Sequence, residues 1–173
     1  MQSISFHAAQ SIQVQLPANF IPRLALILGS GLGDLADQIE SCLVLPYGDI
    51  EGFFQSTVEG HHGSLKFGWL HSVPVVAMMG RVHLYEGAPA QAIAHHIHTL
   101  KCLGVEKIIL TNASGSLNPA VQVGELSLIE DHINMQIPNP LIGVNINELG
   151  PRFVPMENAY DLSLRETALS HAQ

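Results

Sequence analysis

Apolar residues in this chain fall into short blocks that end at glycine or at a small polar residue. Leu24-Ala25-Leu26-Ile27-Leu28 stops at Gly29, and Val73 to Met79 stops at Gly80. Lys107-Ile108-Ile109-Leu110-Thr111 and Leu126-Ser127-Leu128-Ile129 are two further blocks. Runs that are apolar at successive positions predict central strands of a sheet covered on both faces. Between the second and third block the period changes. Ile93, Ala94, Ile97 and Leu100 share one helical face over 89–103. Pro89 suits the first turn of that helix, and Gly104 suits the position just past its end. Strand, helix, strand in that order predicts parallel strands joined by a right-handed crossover. The predicted fold class is α/β.

The segment 41–68 is punctuated by Pro46, Gly48, Asp49, Gly52, Gly60 and Gly63, which predicts hairpins or loops over the sheet. Residues 135–155 are rich in Asn, Pro and Gly and predict one long loop, and long ordered loops are commonly functional. Residues 157–172 then predict a helix with Ala159, Leu162, Ala168 and Leu169 partly inward. A third, shorter helical piece is expected at 32–39. No repeat or linker interrupts the 173 residues, so one domain over 1–173 is expected.

Composition narrows the function. Apolar residues make up 47% and charged residues 13%, as in a packed globular chain. The formal net charge of -8 argues against nucleic acid or an anionic membrane surface as partner. No apolar run is long enough to span a bilayer, and the first residues lack the basic and apolar pattern of a leader. Cys42 and Cys102 lie in apolar surroundings and are expected as reduced, buried thiols in a cytoplasmic protein.

The chemistry-bearing residues cluster at the ends of the predicted strands. After the first strand comes Gly29-Ser30-Gly31-Leu32-Gly33, where backbone N–H groups, the Ser30 hydroxyl and a helix N-terminus suit an anion. Its spacing matches neither a dinucleotide fingerprint nor a phosphate loop with a following Lys, and a plain tight turn is the other reading. Gly60-His61-His62-Gly63 offers imidazole donors, or two solvated loop histidines. After the second strand comes Gly80-Arg81-Val82-His83-Leu84-Tyr85-Glu86-Gly87. In an extended segment Arg81 and His83 point to the same side and reach one oxyanion. Arg81 supplies a permanently charged fork, and His83 a second donor or a general acid/base. Tyr85 continues that face toward a sugar, while the alternative for the segment is a surface salt bridge with Glu86. Thr111-Asn112-Ala113-Ser114-Gly115-Ser116 follows the third strand, with backbone N–H groups that suit the same anion. Ligand sites of open α/β sheets lie at the carboxyl ends of strands, so the convergence of three such turns is more specific than any one of them. His95, His96 and His98 lack metal-ligand spacing and read as a solvated, partly packed helix face, so no metal is expected. His132 fits either a buried hydrogen-bonded turn or a residue supporting a site, and the two are not separable.

These residues resemble the trimeric purine nucleoside phosphorylases of the inosine-guanosine and xanthosine type. The glycine turn at 29–33, the 60–63 loop, the 81–87 segment and Thr111-Asn112-Ala113 carry the resemblance. So do Leu117-Asn118-Pro119, Asp131-His132-Ile133-Asn134, Asn139-Pro140-Leu141, and Arg152-Phe153 with Ala159-Tyr160-Asp161, all in family order. The resemblance implies a mixed, largely parallel central sheet flanked by helices. It implies phosphorolysis of purine ribo- or deoxyribonucleosides to free base and pentose 1-phosphate, with inorganic phosphate as co-substrate and no cofactor. It implies that Ser30, His61, Arg81, His83 and the Ala113 backbone hold phosphate, with Arg81 and His83 the catalytic pair. Tyr85 would contact ribose, and Glu86 and Asn112 would support the phosphate site. It also implies a homotrimer.

Three departures from the family pattern stand out. Ser114 and Ser116 occupy positions where relatives carry Ala and Gly, the loop 143–151 is short and has only Leu149 where relatives carry an aromatic residue that reaches the neighbouring subunit's site, and the resemblance ends within the family fold. The chain reads as the N-terminal two-thirds of that fold, without the part that carries purine recognition, so little phosphorolysis is expected of these residues alone. A non-catalytic phosphate or pentose-phosphate binding module, or an oligomerising fragment, is the alternative.

Overall fold

A computed structural model describes residues 3–29, 31–55 and 63–172. They divide into two compact units, one over 1–113 with 140–142 and the other over 114–139 with 143–173. The first unit holds a five-stranded mixed sheet. Its elements are α1 (Ile4–Gln13), β1 (Leu24–Leu28), α2 (Gly33–Asp37), β2 (Glu40–Pro46), β3 (Ser64–Leu70), β4 (Val73–Met79), α3 (Ala90–Cys102) and β5 (Lys107–Leu110). The strand order is β2-β3-β4-β1-β5. β1 pairs in parallel with both β4 and β5, whereas β3 pairs antiparallel with β2 and β4. The predicted crossover through α3 therefore carries the chain past β1 to its far side. The antiparallel half is built from the segment expected to form hairpins.

Alternation along the strands fills two cores. Ala25, Ile27, Leu65, Phe67, Val76 and Met78 join Ala8, Ala9 and Ile12 of α1 and Leu100 of α3 on one face. Leu26, Leu28, Val75 and Ala77 meet Ala36 and Ile39 on the other. α3 ends at Cys102 with Gly104 just past it at φ +101, as predicted, whereas Pro89 is the extended residue before the helix rather than part of its first turn. α1 has no counterpart in the sequence reading. Its buried positions Ser5, Ala8, Ala9 and Ile12 do follow helical spacing.

Several expectations are corrected. Leu126–Ile129 is not a strand: it has no ladder partner, and Leu126 is 95% exposed. β5 is an edge rather than a central strand, with Ile109 and Leu110 exposed. The last helix, α4 (Leu162–His171), starts later than expected because Asp161 caps it, accepting from the Leu164 N–H. Ala159, Leu162, Ala168 and Leu169 are exposed rather than inward. His95 and His96 are buried, not solvated, because they face α1 and the loop after β2. Cys42 and Cys102 are free but only half-buried, and burial raises both thiols. The expected loop at 135–155 contains no helix or strand. No helix among the described residues is long and apolar enough to cross a membrane.

Candidate active site

The carboxyl ends of β1, β4 and β5 lie side by side, because the parallel register aligns Leu28 with Met79 and Ile27 with Leu110. The residue after each strand therefore opens onto the same end of the sheet. Thr111 joins them. Its N–H and its hydroxyl both donate to the Ile27 carbonyl, at 3.0 and 3.2 Å, and its Oγ1 accepts from the Gly29 N–H at 2.8 Å. Gly29 is glycine for want of room: a Cβ there would lie 2.6 Å from the Thr111 carbonyl oxygen.

Arg81 closes the group from β4. Gly80, at φ +82, turns the chain out of the strand, and the Arg81 Nη1 donates to the Thr111 carbonyl at 2.7 Å. A guanidinium keeps several donors after one such bond, so the cation stays able to take an anion while its stem is fixed. Asn112 and Ala113 continue from the residue that Arg81 grips, and Ala113 is exposed.

The next turn orders His83. Residues Leu84–Glu86 form a short 3-10 turn closed by Gly87 at φ +86. The Glu86 carboxylate folds back, and its Oε1 accepts from the His83 N–H and pairs with Nδ1, both at 2.9 Å. That carboxylate is only 2% exposed, so the pair is not the surface salt bridge weighed from sequence. Held through Nδ1, the imidazole is left with Nε2 as its outward atom. Tyr85 stacks on the His83 ring at 4.8 Å and is 77% exposed. Arg81 and His83 thus take different partners, the first the β5 exit and the second its own turn.

Ser30 and His61 lie outside the described residues. The helix after the glycine turn is five residues long with Asp34 in its first turn, so its dipole adds little for an anion. His132 belongs to the second unit, where it is exposed and hydrogen-bonds the Tyr160 hydroxyl. Among the described residues no group of three or more His, Cys, Asp or Glu is placed to hold a metal ion. A cavity of about 300 Å³ lined by Phe20, Arg23, Trp69 and Pro74 sits at the opposite end of the sheet, where β1 and β4 begin.

Sequence reasoning missed two residues here. The Thr111 side chain was read only as part of a small-residue turn, although a hydroxyl at a strand exit is a signal for backbone bonding. Tyr47 gave no signal at all. It is buried after β2, and its hydroxyl donates to the Gly80 carbonyl at 2.7 Å.

A family model described as the phosphorylase superfamily matches residues 23–173. Over 161 residues the chain is 47% identical to purine nucleoside phosphorylase 1 of Geobacillus stearothermophilus, covering 93% of this chain and 58% of that protein. It is 43% identical over 152 residues to the purine nucleoside phosphorylase of Bos taurus, covering 86% and 53%. A solved structure of isoform 2 of the Schistosoma mansoni purine nucleoside phosphorylase, in complex with cytosine and ribose-1-phosphate, superposes with a TM-score of 0.89 at 41% identity. That match covers 98% of this chain and 60% of the other. The chain thus spans between half and two-thirds of the length of these relatives.

Proposed function

The chain belongs to the phosphorylase superfamily, and on that basis we propose that it supplies the phosphate- and ribose-holding part of a purine nucleoside phosphorylase. Inorganic phosphate attacks the anomeric carbon of the nucleoside as the C–N bond to the purine breaks. The products are pentose 1-phosphate and free base. The sugar gains positive charge in that step, so a phosphate dianion fixed beneath it is both nucleophile and electrostatic partner. Arg81 and His83 hold that dianion together with Ser30, His61 and the Ala113 backbone. Tyr85 contacts the ribose. Glu86 orients His83, and Asn112 supports the turn. Inorganic phosphate is the co-substrate, and the reaction needs no cofactor. The working protein is a cytoplasmic homotrimer, and residues 1–173 act as one phosphorylase-like domain.

The observation that carries this reading is the Arg81–Thr111–Gly29 junction, which ties three strand exits to one cation. A relative solved with ribose-1-phosphate, and another from the same organism solved with inosine, lend it chemical support. Calorimetric titration of the chain with inorganic phosphate and with ribose 1-phosphate tests it. Binding of both, abolished by Arg81→Ala, is expected. Absence of heat and of any thermal shift with either ligand overturns it.

A further inference from the structure

We propose that Tyr47 is a positioning residue for the anion cradle, acting through the carbonyl of Gly80 on the placement of Arg81. The inference rests on the phosphate-site reading above and extends it to a residue that touches no ligand.

Tyr47 is 2% exposed and begins the turn after β2. The end of β2, the start of β3 and the end of β4 are neighbours across the sheet, through the pairs Pro46 with Ser64 and Ser64 with Met79. Tyr47 spans all three. Its backbone N–H donates to the Gly63 carbonyl at 2.8 Å, extending the pairing with β3 by one residue. Its hydroxyl reaches past β3 to the Gly80 carbonyl at 2.7 Å. The ring lies so close to Gly63 that any side chain there would overlap it. The ring also packs on Phe53 at 5.3 Å and on His96 at 5.4 Å.

The accepting oxygen explains the consequence. The Gly80 C=O and the Arg81 N–H belong to one planar peptide. Gly80 itself, at φ +82, is the most freely turning residue type at that point. A bond to its carbonyl removes the rotation that glycine would otherwise allow, and so fixes where the Arg81 stem departs. Burial also pushes the phenol above its ordinary range, so the hydroxyl stays a donor at every working pH.

Tyr47→Phe removes the one oxygen and keeps the ring. The inorganic phosphate Kd, measured by calorimetry on the full chain, should rise about 2- to 10-fold, the span of one lost hydrogen bond. Phe53→Leu, which disturbs the same packing without touching Gly80, should lower Tm and leave that Kd where it is. A Tyr47→Phe chain with reduced Tm but unaltered Kd overturns the proposal, because Tyr47 is then only a packing residue. If Tyr47→Phe does not fold, 3-fluorotyrosine at position 47 reads the same contact. Its fluorine resonance should move on saturation with phosphate in the unsubstituted background and stay fixed with Arg81→Ala. A resonance indifferent to phosphate overturns the proposal. Failure of the underlying site is separately visible, since the unsubstituted chain would then bind no phosphate at all.

Discussion

Replacing Gly29 by Ala puts a methyl carbon 2.6 Å from the Thr111 carbonyl oxygen, and 3.0 Å from both the Thr111 carbonyl carbon and the Asn112 Cα. All three are backbone atoms, so no side chain can rotate out of the way. The exit of β5 must move from the exit of β1. That movement loads the 2.8 Å bond from Gly29 N–H to Thr111 Oγ1, and it shifts the carbonyl that Arg81 grips. Overpacking of this kind costs about 1–3 kcal/mol. For a chain of this size that corresponds to a fall in Tm of about 2–12 °C. Phosphate affinity should fall with it, because the same carbonyl anchors the cation. Gly33→Ala is the matched control. Among the described residues no atom lies within 4 Å of its new methyl, and the position opens α2 outside the left-handed region, so Tm should rise by about 1–4 °C. Thermal unfolding and phosphate calorimetry on the two variants decide the matter. If Gly29→Ala leaves both Tm and Kd unaltered, the three strand exits are not tightly coupled and the reasoning fails.

Arg81→Lys substitutes a point charge for a fork that already spends one donor on Thr111, so phosphate affinity should fall at least about tenfold by calorimetry. The His96 imidazole is held down at about 4, first by burial and then by the neighbouring His95, and His98 is lowered in the same sense. Below its ordinary value of 6.5 the unfolded chain therefore takes up a proton that the fold refuses. Stability should be full above that pH, fall by on the order of 3 kcal/mol as pH drops to 4, and level off below. A pH series of melting curves checks this, and a flat Tm across that interval would contradict it. Arg23→Ala breaks a 2.7 Å ion pair with Glu106, yet both side chains are more than half exposed, so urea unfolding should register less than about 1 kcal/mol.

What could be read from sequence follows the kind of information each residue carries. β1, β4 and α3 were legible because their apolar period and their glycine or proline stops are local properties. α1 was not, because its inward face is Ser5, Ala8, Ala9 and Ile12, mostly small residues that raise little contrast. Leu126–Ile129 was misread because apolarity at successive positions says nothing about whether a partner strand lies alongside. His95 and His96 were misread for a related reason. Their burial depends on Ser5 and the Phe54 N–H, which are 90 and 42 residues away along the chain. The site shows the same division. Arg81 and the turn at Thr111 were visible as types at strand exits. Their mutual bond exists only once β1 lies between β4 and β5, and the reach of Tyr47 to Gly80 only once β3 lies between β2 and β4, whereas the Glu86 cap on His83 is local and only its burial is not.

The two borders of the sheet are finished differently. β2 carries an irregularity between Ser41 and Leu43 and ends in Pro46, which lacks an amide hydrogen to offer a newcomer. β5 has neither device: its four residues, Lys107–Leu110, carry two uncovered aliphatic side chains, Ile109 and Leu110. Self-association of this polypeptide should therefore begin at the second border, growing with concentration by strand addition there and yielding to a single charged replacement at Ile109.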